Sequence, residues 1–398
     1  MLRNKKILIA VSGSIAAYKI PYLVRLLIKE RAEVKLIMTR AATDFVTPLV
    51  LSTLSKNKVI TGFVEEDVWT DHVMLGRWPD VFLVAPLSAN TLSKMATGVC
   101  DHILLATYLS ATCPVAVAPA MDEDMWKHPT TRRNLQQLVS DGVQVIPPGT
   151  GELASGLSGE GRMAEPEEIL CFLKEHFFRS SALQGKKILV TAGPTYEPID
   201  PVRFIGNRSS GKMGFAIARS LYEHGASVTL ITGPTNEKAV YKGIEVIHIE
   251  SAEELLEACK QISGDADIII MNAAVADFTP ASAADHKIKK NGADLHLALR
   301  PTTDIAAWMG SNKKANQLLI GFALETDNEI NNAKAKLHKK NLDAVILNSL
   351  NDPGAGFGTD TNTITIIDHG QELNSGNRSK SDIATFITSY LIGKINNI

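Results

Sequence analysis

The sequence predicts an α/β fold with two doubly wound domains, each built around a mostly parallel sheet. Three observations predict it. Short apolar runs alternate with helical patterns along the whole chain. The apolar runs are β-branched and lack a polar face, as strands covered on both sides are. Two segments open alike, with a charged lead, an apolar strand and a glycine turn: KKILIAVSGS at Lys5–Ser14 and KKILVTAGPT at Lys186–Thr195. Two such openings point to two separate open sheets of the Rossmann-like or flavodoxin-like kind.

Taken in order, the first half offers strands at Lys6–Val11, Val34–Met38, Val81–Ala85, Val115–Ala118 and Val143–Ile146. Helices are expected between them, notably over Ala16–Lys29 and Ser88–Ala96. Pro166–His176 reads as a helix with proline in its first turn and acidic residues after it. Phe178–Gln184 reads as a short linker, so the domains are placed at 1–182 and 183–398. The second half offers strands at Lys187–Thr191, Ser227–Ile231, Glu245–Ile249, Ile268–Asn272, Leu318–Phe322 and Ala344–Asn348. Helices near Lys212–His224, Ala252–Ile262 and Glu329–Lys340 separate them.

Composition narrows the function. The 398 residues carry 41 Lys+Arg against 43 Asp+Glu, a net charge of −2, which argues against neutralisation of a nucleic-acid backbone. The four cysteines, Cys100, Cys113, Cys171 and Cys259, include no C-x-x-C pair, so zinc ribbons and dithiol redox motifs have no support. So few cysteines fit a reducing compartment. Arg3, Lys5 and Lys6 before an apolar run imitate a signal peptide, but Gly13 and Ser14 break the run and Lys19 follows. Nothing approaches the ~18 apolar residues of a membrane span. A soluble, cytoplasmic protein is expected, with neither membrane nor nucleic acid as partner.

Ser12-Gly13-Ser14-Ile15-Ala16 follows a strand and opens a helix, where small residues and free N–H groups can meet an anion. Ala85–Thr91 does the same after a later strand, and ligands gather at such strand ends. A plain βα turn is the competing reading of either loop alone. With Pro119-Ala120-Met121, Met125-Trp126 and the GRMAEP run at Gly161–Pro166, these segments resemble the flavin-dependent cysteine decarboxylases over nearly all of residues 5–177. The resemblance implies FMN held by Gly13, Ser14, Ile15, Thr39, Ser88, Ala89, Asn90 and Thr91, with His72 as the active-site histidine. It implies removal of a hydride from the carbon bearing sulfur, loss of CO₂, return of the hydride and protonation by an acid.

Two residues depart from that pattern. Asp122 stands where the family has an asparagine for the substrate carboxylate; burial and like charge would have to keep it protonated for it to donate a hydrogen bond. Ser155, in Gly151-Glu152-Leu153-Ala154-Ser155-Gly156, replaces a cysteine proton donor. A hydroxyl is a far weaker acid than a thiol of pKa ~8.5. Ser155 therefore relays a proton, yields the role to another group, leaves an unsaturated enethiol product, or is only a turn residue.

In the second half, Asn207–Gly214 leads into a helix with small residues suited to phosphate, though a P-loop spacing is absent. Asp277 ends a strand, Lys287–Lys290 reads as a solvated hairpin or a basic flap, and Lys336 and Lys340 form a like-charge pair costing ~0.2–0.5 kcal/mol without an anion. The strings TAGPTYEPIDPVRFIGNRSSGKMG, NAAVADF, KIKK, GFALET and KKNLD closely resemble the phosphopantothenate–cysteine ligases from about residue 186 onward. The resemblance implies that Asn207 contacts an acyl-nucleotide and Lys287 covers it. It implies a nucleotide held by Met271, Asn272, Ala273, Asp277, Thr303, Asp304, Ile305, Ala306, Phe322, Lys336 and Lys340. CTP with Mg²⁺, 4'-phosphopantothenate and cysteine are the implied co-substrates and partners, with the metal's ligands left open. The resemblance also implies self-association, through trimers of the first half and dimers of the second, and so a large homo-oligomer, up to a dodecamer. An NAD(P)-linked flavin oxidoreductase and a flavin-binding regulatory subunit are the alternatives.

Overall fold

A computed structural model describes residues 2–65, 68–290, 295–325, 327–349 and 361–395. It divides into two compact units, Met1–Phe178 and Arg179–Ile398.

In the first unit, six strands form one parallel sheet. They are β1 (Lys6–Val11), β2 (Glu33–Met38), β3 (Val59–Ile60), β4 (Val81–Leu87), β5 (Val115–Pro119) and β6 (Gln144–Val145), in the order β3-β2-β1-β4-β5-β6. The order reverses between β1 and β4, which opens a crevice at their C-terminal ends. Residues along β1 alternate between two cores: Ile7, Ile9 and Val11 enter one, Leu8 and Ala10 the other. That is why the strand has no polar face. Helices α1 (Ile20–Lys29), α2 (Pro48–Ser55), α3 (His72–Arg77), α4 (Ala89–Thr97), α5 (Ile103–Leu109), α6 (Glu123–Lys127), α7 (Pro129–Ser140) and α8 (Pro166–Phe177) connect or follow the strands. A separate antiparallel ribbon joins β7 (Gly149–Glu152) to β8 (Ser158–Arg162).

The second unit repeats the plan with an extension. The strands β9 (Lys187–Ala192), β10 (Ser227–Thr232), β11 (Glu245–His248), β12 (Ile268–Met271), β13 (Leu318–Glu325) and β14 (Ala344–Ser349) are parallel, in the order β11-β10-β9-β12-β13-β14. Two antiparallel strands, β15 (Ile364–Asp368) and β16 (Glu372–Asn374), continue the sheet beyond β14. The helices are α9 (Lys212–Glu223), α10 (Ala252–Ser263), α11 (Ile305–Asn312), α12 (Glu329–Lys339) and α13 (Lys380–Ile395). Among the described residues no helix is long and apolar enough to cross a membrane.

The segment expected as a linker belongs to the second unit. Arg179 donates from Nε to the Tyr222 carbonyl and from Nη2 to the Ala226 carbonyl, both at 2.8 Å. Its guanidinium lies 4.0 Å from the Tyr222 ring centroid. Ser180 N–H and Leu183 N–H donate to the carbonyls of Glu223 and His224. These bonds satisfy carbonyls at the C-terminal end of α9, and the compact units meet at 178/179.

Candidate functional site

Each unit carries a cleft at the C-terminal edge of its sheet. In the first unit the cleft is built by one buried hydroxyl and three helix caps. Ser12, fully buried, donates to the Pro86 carbonyl at 2.7 Å and accepts from Ser88 N–H at 2.9 Å. It thereby ties the end of β1 to the end of β4. Ser14, Thr39 and Ser88 each accept a backbone N–H from the turn that follows, at 3.3 Å in every case. Gly13 lets the first two loops meet: a Cβ there would stand 2.6 Å from the Ala41 Cβ.

The cleft encloses about 960 Å³, within the ~300–1,000 Å³ range of cofactor sites. Gly13, Ser14, Ile15, Thr39, Ser88, Ala89, Asn90, Thr91 and Asp122 all line it. Apolar walls beside capped helix starts suit a flat ring system with an anionic tail.

Two expected residues lie off this wall. His72 begins α3, edge-on to the rings of Phe63 and Trp69 at 6.2 and 6.3 Å, with Nδ1 buried and without a hydrogen bond. Ser155 sits exposed in the turn between β7 and β8, where its Oγ accepts from Leu157 N–H at 3.4 Å. Its neighbours Leu153 and Ala154 do reach the cleft.

Sequence reading missed Lys19, Arg40, His102 and Arg162, which also line it. The ammonium of Lys19 is almost fully buried and donates to the Met163 carbonyl and to Glu165 Oε1, both at 2.8 Å. Arg162 reaches the same carboxylate oxygen at 3.1 Å. The hydrogen bond from Lys19 holds the Glu165 carboxyl below its ordinary pKa. A lysine inside an otherwise apolar helical stretch was the available signal. Burial lowers the pKa of His102, against the opposing pull of Asp101.

In the second unit the cleft encloses about 530 Å³. Asn207, Met271, Asn272, Ala273, Asp277, Thr303, Asp304, Ile305, Ala306, Phe322, Lys336 and Lys340 line it together. Thr191 Oγ1 accepts from Asn272 N–H and Ala273 N–H, both at 3.1 Å, which fixes the loop after β12. Asn207 donates from Nδ2 to the carbonyls of Ala274 and Val275 at 3.1 and 2.9 Å, which commits its amide nitrogen and leaves Oδ1 as an acceptor.

The like-charge lysine pair is partly relieved within the chain. Lys340 contacts Asp304 at 2.8 Å, and Lys336 donates to the Phe322 carbonyl at 2.6 Å. Burial, then the neighbouring Lys340, lowers the pKa of Lys336. Burial works to raise the Asp304 carboxyl, but the Lys340 ammonium and the Ala307 N–H outweigh it and hold it low. The Asp277 carboxylate makes no hydrogen bond or ion pair among the described residues.

Lys287 does not line this cleft. Lys287, Lys289 and Lys290 are exposed and form no strand, while Asn291 and Gly292 lie outside the described residues. The segment is anchored through Ile288: its N–H donates to Asp200 Oδ2 at 3.1 Å and its carbonyl accepts from Arg203. Ser209, Ser210 and Lys212, from the segment read as suited to phosphate, also line it, and Asn348, Asn362 and Lys380 do so without having been expected. Among the described residues, no three His, Cys, Asp or Glu side chains group as a metal site.

The comparisons with known proteins match one family to each unit, the second match beginning at the expected residue 183. Residues 1–178 match the flavoprotein family, and residues 183–394 match the C-terminal domain of the DNA/pantothenate metabolism flavoproteins. A cysteine/cysteine sulfinic acid decarboxylase from an unknown prokaryotic organism is 52% identical, over 86% of this chain and 97% of its own length. The coenzyme A biosynthesis bifunctional protein CoaBC of Bacillus subtilis is 44% identical, over 92% of this chain and 91% of its own. That of Borreliella burgdorferi is 40% identical, over 98% and 100%. A crystal structure of the C-terminal domain of a CoaBC protein matches 55% of this chain and all of its own, at 38% identity and a TM-score of 0.48. The chain belongs to the bifunctional coenzyme A biosynthesis flavoproteins.

Proposed function

We propose that the second unit condenses 4'-phosphopantothenate with cysteine at the expense of CTP, and that the first unit decarboxylates the product to 4'-phosphopantetheine with FMN. The match to the Bacillus subtilis bifunctional protein carries this reading, because it runs through both units.

In the second unit the phosphopantothenate carboxylate attacks the α-phosphate of CTP and pyrophosphate leaves. The amine of cysteine then attacks the acyl cytidylate and CMP leaves. Lys336 and Lys340 face this cleft and neutralise charge that builds on the phosphates. Asp277, whose carboxylate has no hydrogen bond or ion pair among the described residues, would be available to a Mg²⁺ carried by the triphosphate, which would neutralise phosphate charge.

In the first unit, Ser14, Thr39 and Ser88, with the apolar residues beside them, would hold FMN. Bound FMN supplies a hydride acceptor at the carbon bearing sulfur. The chain itself orients the cysteine carboxylate and supplies a proton after CO₂ leaves. His72 lies off the cleft of its own chain, on a face with Trp69 and Met74 exposed. We propose that the protein self-associates and that this face serves a neighbouring copy.

Purified protein given 4'-phosphopantothenate, cysteine, CTP and Mg²⁺ should yield 4'-phosphopantetheine by mass spectrometry. Accumulation of 4'-phosphopantothenoylcysteine would show the first unit inactive in this step. A product two hydrogens lighter than phosphopantetheine would show that Ser155 fails to replace the cysteine donor. A second reading, with free cysteine or cysteine sulfinate as the first unit's substrate, is favoured by the name of the 52% identical relative.

A further inference from the structure

We propose that Lys19 is a positioning residue of the first cleft, whose buried ammonium holds the Gly161–Met163 wall against the Gly13–Ile15 loop. The proposal rests on the flavin-dependent decarboxylase reading of that cleft.

Lys19 ends the short helical turn Ile15–Lys19, which Ser14 caps after β1. The residue is only 5% exposed, so its ammonium depends on protein partners. Both partners lie far away in sequence. They are the Met163 carbonyl and Glu165 Oε1, each at 2.8 Å. Arg162 donates to the same carboxylate oxygen at 3.1 Å. The chain that leaves β8 is thus bonded directly to the turn that continues the first loop. Gly161, Arg162 and Met163 line the same cleft as Gly13, Ser14 and Ile15.

The wall has a second tie. The Gly161 carbonyl accepts from Met121 N–H at 3.0 Å, and a Cβ on Gly161 would stand 2.3 Å from the Met121 carbonyl oxygen. That tie is made of backbone and survives any side-chain substitution. Lys19 is the tie that a substitution can cut.

Cutting it costs affinity as well as stability. Without the ammonium, the Met163 carbonyl loses this donor and Glu165 keeps Arg162 alone. A loosened wall has to be ordered when a ligand binds, and the free energy of ordering is subtracted from binding.

A second buried lysine in the same unit supplies the control. Lys174 is 2% exposed and contacts Glu30 Oε1 at 2.8 Å, which joins α8 to the end of α1. It lines neither cleft. Lys174→Met therefore removes a buried ammonium from the same helix layer without touching the wall.

In the test, FMN is titrated into the flavin-free full chain and binding is followed by quenching of its fluorescence. Lys19→Met should raise the Kd about 10-fold or more, the scale of one lost charge-assisted hydrogen bond. Lys174→Met should change it less than about 2-fold, while urea unfolding shows both variants destabilised. Equal weakening by the two variants, or an unchanged Kd in Lys19→Met, would overturn the proposal. Where Lys19→Met does not fold, Glu165→Gln decides. Its neutral amide makes a weaker bond to Lys19 and should raise the Kd about 3- to 10-fold; an unchanged Kd refutes the role. Tight FMN binding by the wild type without decarboxylation of 4'-phosphopantothenoylcysteine would leave the role of Lys19 standing and overturn the substrate reading. No FMN binding by the wild type would overturn both.

Discussion

Substituting Ser12 with alanine tests how the flavin cleft is held open. The hydroxyl is fully buried and serves two backbone groups, the Pro86 carbonyl at 2.7 Å and the Ser88 N–H at 2.9 Å. Alanine fits the space but serves neither. The Pro86 carbonyl keeps only a long bond, 3.4 Å from Ser12 N–H. The Ser88 N–H is left without a partner. An unsatisfied buried group costs ~1–3 kcal/mol and a weakened one somewhat less, so the first unit should lose about 2–3 kcal/mol. Urea unfolding of the flavin-free chain, followed by tryptophan fluorescence, measures this, since Trp69, Trp78 and Trp126 lie in that unit and only Trp308 in the other. Ser14→Ala removes one cap bond of 3.3 Å and serves as the control, at about 0.5–1 kcal/mol. Flavin affinity should fall with Ser12→Ala, because the Ser88–Thr91 loop loses its tether. A Ser12→Ala midpoint indistinguishable from wild type would refute the account of the cleft.

Other outcomes follow from the same geometry. Burial works to raise the Asp368 carboxyl, but Lys394, the Gly370 N–H, Tyr390 and Gln371 outweigh it and hold it well below its ordinary value. A depressed folded-state pKa stabilises fully above the unfolded value of ~3.9 and is lost as pH falls below it, so Asp368→Asn should flatten the acid limb of a stability–pH curve. Lys336→Met should raise the KM for the triphosphate at least 10-fold in a pyrophosphate-release assay while leaving flavin binding unchanged, because Lys336 lines only the second cleft. Arg179→Ala removes two backbone bonds and a stacked guanidinium, and should cost the second unit about 1–3 kcal/mol by calorimetry. Burial pushes the Cys259 thiol up to about 12, so a thiol reagent at pH 8 should label Cys100 long before Cys259.

The parallel core was legible because its strands have no polar face; Lys6–Val11 appears with the bounds its apolar run implies. Helix α13 was missed because Ile383, Ala384, Ile387, Thr388 and Leu391 are buried on a helix whose apolar residues show little one-sided pattern. Much of the second unit's cleft lining was legible because residues such as Met271 and Ile305 sit at a strand end and a helix start, which topology brings together. His72, Ser155 and Lys287 sit instead on a short helix, a ribbon turn and an anchored loop, and sequence spacing carries no information on where those point. Lys19 escaped notice because an aliphatic stem with a charged head suits a surface as well as a buried pair, and only the fold brings Glu165 to it.

The hydrogen bonds of Arg179, Ser180 and Leu183 also decide where a gene could be cut. Separate expression after codon 178 leaves each product all of its own anchors. A cut after codon 182 hands Arg179 and Ser180 to the wrong fragment. The carbonyls of Tyr222, Glu223 and Ala226 would then meet solvent at the foot of a helix that helps line the ligase cleft. A ligase fragment begun at 183 should therefore express less soluble protein than one begun at 179, for a reason unconnected with its catalytic residues.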